Sequence, residues 1–118
     1  MLWDVIYNRL KENFIEVYLP GQHKGDCLSP YVVVSPQDSS QYLEYSTNII
    51  HCEVLCYVPE DHFSTLEPFV QSVKAILKPL YPQIKESHYE IKGYTDDTNK
   101  SHMWSIQYQT YQQFFNLS

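Results

Sequence analysis

The stretch "IIHCEVLCYVPEDH", Ile49 to His62, decides how this chain is read. It places Cys52 and Cys56 four residues apart, with His51 and His62 close by. A metal site, a redox pair and a plain piece of core would all use such residues. The residue types choose between them. Ile49, Ile50, Val54, Tyr57 and Val58 are β-formers, and Pro59 ends the run, so the segment is expected to be an extended strand. On a strand, Ile50, Cys52, Val54, Cys56 and Val58 point one way. Ile49, His51, Glu53, Leu55 and Tyr57 point the other. At ~3.3 Å per residue the two thiols lie ~13 Å apart. A disulfide needs Cα atoms within ~7 Å, and one zinc needs each sulfur at ~2.3 Å. Both cysteines are therefore read as small buried hydrophobes.

Working outward, "MLWDVIYNRL" reads as a helix with Leu2, Val5, Ile6 and Leu10 on one face. In "FIEVYLPG" the period becomes two, and Pro20-Gly21 makes a turn. "PYVVV", 30–34, is a short strand opening on proline. Residues 35–47 are loop-like, with Tyr42, Leu43 and Tyr45 leading into the cysteine strand. After Pro59, residues Phe63, Leu66, Phe69, Val70, Val73, Ile76, Leu77 and Leu80 keep helical spacing over five turns. Ser64 or Thr65 is expected to cap this helix, Pro68 is tolerable near its start, and Pro79 and Pro82 end it. A C-terminal hairpin follows: a weak strand over 88–92, a long polar loop over 93–101, and a strong strand over 102–111 with Trp104, Ile106 and Tyr108 on one face.

The expected fold is α+β in the order α-β-β-β-α-β-β. About five mostly antiparallel strands form a small mixed sheet, and two helices pack on one face. A length of 118 residues suits one domain, 1–118. With 43% hydrophobic residues the chain can build a core. Eleven tyrosines lean towards protein contacts, because a tyrosine ring can be half-buried with its hydroxyl wet. The formal charge of −6 argues against nucleic acid as the main partner. The apolar runs are far shorter than a membrane span. The start lacks the basic-then-apolar pattern of a secretory signal, so a product that is cytoplasmic when made is expected. Three cysteines do not make a disulfide framework.

Other candidate sites are weaker. His23, Cys27 and Asp26 share the loop "GQHKGDC", but a thiol hydrolase needs such groups held at set distances. Asp96 and Asp97 lack the ligand spacing, glycine and closing glutamate of a calcium loop. No catalytic, metal-binding or cofactor-binding residue is assigned. A thiol- or metal-dependent enzyme built on His23, Cys27, Cys52 and Cys56 remains the alternative from another class. The 20–27 loop (Gly21, Gln22, His23, Lys24, Gly25, Asp26) and the 93–101 loop (Tyr94, Thr95, Asp96, Asp97, Asn99, Lys100) are instead candidate interface elements, too long and polar for tight connections.

The runs "VYLPGQHKGDCLSPYVVV", "CEVLCYVPEDHFSTLEPFVQSVKAIL" and "YTDDTNKSHMWSIQYQTYQQF" resemble a family of small phage tail proteins. These are the tail terminators (tail completion or minor tail proteins) of siphophages and of prophages in Gram-positive bacteria. The resemblance covers nearly the whole chain, and its pieces carry no catalytic motif. It implies a fold similar to the lambda-type tail terminator. It also implies a ring, usually a hexamer, that caps the head-proximal end of the tail tube, stops its polymerisation and forms the head-joining surface. The implied partners are further copies of the chain, the major tail tube protein and a head-side connector protein. The implied location is the virion. A head–tail connector or neck protein of the same virion is the alternative within this class.

Overall fold

The computed structural model describes residues 2–13, 15–36, 40–42, 47–97 and 100–111. Among them are two α-helices and six strands: α1 (Leu2–Glu12), β1 (Val17–Tyr18), β2 (Tyr31–Pro36), β3 (Ser40–Tyr42), β4 (Thr47–Pro59), α2 (Leu66–Leu77), β5 (Lys85–Asp96) and β6 (Ser101–Tyr111). The fold is α+β, with the sheet ordered β1-β2-β4-β6-β5 and β3 paired to the start of β4. Every neighbouring pair is antiparallel except β1 and β2, which run parallel. A parallel neighbour requires the chain to travel back along the sheet, a connection of about a dozen residues. Residues 19–30 make that return, which is a structural reason for the length of the 20–27 loop.

β4 is the centre of the sheet. It pairs with β6 from Ile49↔Tyr111 to Pro59↔Ser101, and with β2 from Tyr31↔Tyr57 to Pro36↔Cys52. The alternation expected for it holds in burial from His51 to Val58, while Ile49, expected on the outward face, is buried. Cys52, Val54, Cys56 and Val58 are buried, and His51, Glu53, Leu55 and Tyr57 are half-exposed. Cross-strand partners share a face, so Val32, Val34, Ile106 and Tyr108 join the buried set. Onto this face pack Leu2, Ile6 and Leu10 of α1 and Leu66, Val70, Val73 and Leu77 of α2. The α1 residues are spaced four and four apart, and those of α2 four, three and four apart, so each helix presents one apolar stripe. Arg9 Nε of α1 donates to the Ile76 carbonyl of α2 at 2.9 Å, tying the two helices together.

Several local expectations need correction. β3 forms a strand where a loop was expected, although its residues "SQY" carry no apolar alternation. α2 is shorter than five turns, because 3₁₀ segments over Glu60–Thr65 and Lys78–Leu80 flank it. At three residues per turn the leading segment rotates Phe63 off the apolar face. Phe63 is 57% exposed and stands edge-on to His102. Thr65 occupies the N-cap position, but its backbone is already helical and its hydroxyl donates to the His62 carbonyl at 2.7 Å, so it does not cap. Pro68 falls in the first turn, where its missing amide has no intrahelical partner to lose.

The largest correction concerns β5. It spans Lys85–Asp96, not 88–92, so Tyr94, Thr95 and Asp96 are strand residues rather than loop residues. They pair with Met103, His102 and Ser101. The next strand, β6, begins at Ser101. Gly93, with φ +71°, marks an irregularity in the strand and not its end.

Candidate interaction surface

Both helices cover the same face of the sheet, so the face bearing Tyr31, Val33, Glu53, Leu55 and Tyr57 carries no helix among the described residues. Three directly opposed pairs of β2 and β4 form the floor of a groove there: Tyr31↔Tyr57, Val33↔Leu55 and Ser35↔Glu53. The connection between β1 and β2 forms its wall, through Pro20, Gly21, His23, Gly25 and Asp26. The groove encloses about 490 Å³.

The wall has a defined shape. The turn Leu19–Gln22 has proline second and Gly21 third, with φ +83° at the glycine, and the Gln22 amide donates to the Leu19 carbonyl at 3.0 Å. That is the residue pattern of a type II turn. The Gln22 side chain closes it again by accepting from the Leu19 amide at 2.8 Å. Gly25 also has positive φ, +85°. Beyond the turn, the His23 ring lies on Tyr31 (3.9 Å between centroids, 11° between planes), and Tyr31 lies on Tyr57 (4.8 Å, 14°). Tyr18 of β1 meets His23 and Tyr31 edge-on at 5.1 and 5.6 Å. The loop is thus held to the sheet by four rings, a geometry favourable beyond area burial alone. Glu16 supports it from behind, accepting from the Tyr18 hydroxyl and, at 3.3 Å, from Ser29 Oγ.

The two candidate interface elements meet at one end of this groove. Lys100 Nζ of the β5–β6 turn lies 3.7 Å from Asp26 Oδ2 of the wall. Tyr94 is exposed on β5, Thr95 Oγ1 contacts His102 Nδ1 at 3.2 Å, and Lys24 and Asp97 are exposed. Asn99 lies outside the described residues. The Tyr57 phenol is pushed up by burial, then by the negative charges of Asp96 and Glu53 and by its neighbours Cys27 and Tyr94. That phenol therefore senses the wall, the floor and the β5–β6 hairpin together.

The residues of the enzyme alternative are dispersed. Cys52 and Cys56 face the helices, Cys52 opposite Tyr108 and Cys56 opposite Trp104, with Val54 between them. Burial pushes both thiols up to about 12. Cys27 is buried within the loop, its Sγ donating to the Ser29 carbonyl at 3.4 Å, and burial holds its thiol at about 11. His23 is engaged in the ring stack. Among the described residues no group of three or more His, Cys, Asp or Glu side chains converges as metal ligands. No helix among them is long and apolar enough to cross a membrane.

Sequence reasoning found the wall and missed the floor. Tyr18, Tyr31, Glu53, Leu55 and Tyr57 become neighbours through the pairing of β1 on β2 and the register of β2 on β4. The available signal was the outward set of β4, already separated from the cysteines by parity. No protein-family model matches the chain, and no curated protein matches it.

Proposed function

We propose that the chain is a structural assembly protein of a long phage tail. In this reading it forms a ring, of six copies by analogy with the family it resembles, on the head-proximal end of the tube. There it stops tube polymerisation and offers the head-joining surface. It is made in the bacterial cytoplasm and carried in the virion, and its partners are further copies of itself, the major tail tube protein and a head-side connector protein. The role is non-catalytic.

The observation that carries the reading is the one-sided sheet. The face opposite the two helices holds a groove walled by the 20–27 loop, and Lys100 of the β5–β6 turn reaches the same place. A cap on the tube must meet the tube protein and a head-side connector as well as its own copies, and this face is read as the contact for one of those partners. A half-buried sheet face with aromatic residues and an ordered loop is the kind of surface that protein contacts use. The cysteines support a structural role as well, since thiols held up to about 12 by burial are weak nucleophiles.

Purified protein mixed with uncapped tail tubes tests this. Ring-shaped density on one tube end, together with arrest of tube growth, is the expected result. Association with portal and adaptor proteins in preference to tube protein would move the assignment to the neck. Binding to neither overturns the reading.

A further inference from the structure

We propose that the groove over β2 and β4 binds an arginine side chain presented on an extended segment of a different protein, and not on a second copy of this chain. The inference rests on the reading of this face as an assembly contact and names the chemistry of the partner.

Glu53 stands half-buried on the groove floor, and none of the ion pairs among the described residues involves its carboxylate. The other carboxylate of the lining, Asp26, reaches Lys100, and no Lys or Arg lines the groove itself. A half-buried carboxylate beside apolar and aromatic groups is costly when alone and gains most from a hydrogen-bonded cation.

The floor joins Glu53 to Leu55 and Tyr57 along one strand, and the wall adds the His23–Tyr31–Tyr57 stack. A guanidinium can hydrogen-bond a carboxylate through its edge and lay its plane on an aromatic ring, which an ammonium does less well. At about 490 Å³ the groove falls within the ~300–1,000 Å³ range of ligand clefts, so it has room for more than one side chain.

The chain's own composition excludes self-recognition. Arg9 is the chain's only arginine, and its Nε is committed to the Ile76 carbonyl between the two helices. A second copy therefore brings no spare arginine, and at −6 it repels an acidic groove.

The test is a titration of ¹⁵N-labelled full-length protein with acetyl-Gly-Arg-Gly-amide, followed by amide shifts. The control peptide carries citrulline, which keeps the shape of arginine and removes its charge. The expected result is saturable shifts at Tyr31, Val33, Glu53, Leu55 and Tyr57, with a dissociation constant on the order of 1 mM. Glu53→Gln is expected to weaken binding about two- to fivefold and Glu53→Lys to abolish it, with both spectra showing a folded protein. Equal binding of the citrulline peptide, shifts centred elsewhere, or no shifts at about tenfold higher concentration would overturn the inference. A change in oligomeric state caused by Glu53→Gln would assign the groove to a second copy and overturn it as well. Tube capping is scored separately, so loss of peptide binding with capping intact sinks this inference alone. Peptide binding without capping sinks the tail reading alone.

Discussion

Asp26 and Lys100 face each other across the end of the sheet, Oδ2 to Nζ at 3.7 Å, and join the return connection of a parallel strand pair to the turn of the C-terminal hairpin. The Lys100 carbonyl also accepts the Glu60 amide at 3.0 Å, so the turn before α2 is anchored at the same point. Three segments far apart in sequence are thereby brought to one corner. Both side chains of the ion pair are more than half or about half exposed, at 61% and 50%, so solvent screens their attraction.

The pair is accordingly a positional device more than a stabilising one. Asp26→Asn is expected to change the free energy of unfolding by less than ~1 kcal/mol. It should nonetheless speed proteolytic cleavage within residues 20–27, because the loop loses a tether. Urea unfolding and limited proteolysis of the same variant check the two halves. A loss above ~2 kcal/mol would mean that the contact is far better shielded than its exposure implies.

The thiols make a prediction about alkaline pH. Cys52 and Cys56 have folded-state values raised from 9.0 to about 12 by burial. Above pH 9 the unfolded chain releases these protons while the folded chain keeps them. The stability that the neutral thiols contribute is thus complete below pH 9 and is lost as pH rises towards about 12. Each thiol costs up to ~1.4 kcal/mol per pH unit in that window. Urea midpoints measured from pH 8 to 11 should fall, and the fall should be shallower in the Cys52→Ala/Cys56→Ala double variant. Parallel slopes for the two proteins would place these thiols in contact with water.

The parts of the fold that were legible in the sequence are those with an unbroken period. The helical stripe of α1 and the alternation of β4 follow directly from residues such as Ile6, Val54 and Cys56, which are fully buried. β5 was illegible beyond 88–92 for a physical reason. Between Glu86 and Glu90 it advances four residues while β6 advances two, from Tyr108 to Ile106. Between Ile91 and Tyr94 it advances three against two, from Ser105 to Met103. Such irregularities destroy strict alternation, and Gly93 then reads as a loop. The loop wall of the candidate surface was legible from Pro20, Gly21 and Gly25. Its floor was not, because no local pattern tells Tyr31 that it will lie on Tyr57.

Gly25 offers a check on the wall. Its φ of +85° is strained for any side chain, yet a Cβ added there would meet nothing within 4 Å. The cost of Gly25→Ala is therefore conformational and not steric, about 1 kcal/mol. Thermal unfolding should show that modest loss, and amide shifts should be confined to the loop and its ring stack. A loss of ~3 kcal/mol or more would mean that the loop carries packing the structure does not contain.

The last prediction concerns the link between α2 and the sheet. Glu90 Oε1 accepts from Lys74 Nζ at 2.8 Å and from Trp104 Nε1 at 2.9 Å. Burial pushes the Glu90 carboxyl up, but the Lys74 and Trp104 hydrogen bonds outweigh it and leave the group below its usual value. Burial likewise pulls Lys74 down, and its bonds to Glu90 and Glu86 more than reverse this. A carboxyl lowered in the folded state contributes stability that is present above its unfolded value and lost as pH falls through the folded one. Stability should thus decline below about pH 4.5, and the decline should be smaller in Glu90→Gln. At neutral pH the same variant should lose ~1–3 kcal/mol, because it leaves Lys74 without its closest partner. Trp104 gives the readout, since its indole reports the bond directly: acid titration of the wild-type protein should shift its fluorescence before global unfolding, and Glu90→Gln should remove that early step. An unchanged early step in the variant would assign the acid sensitivity to another carboxylate.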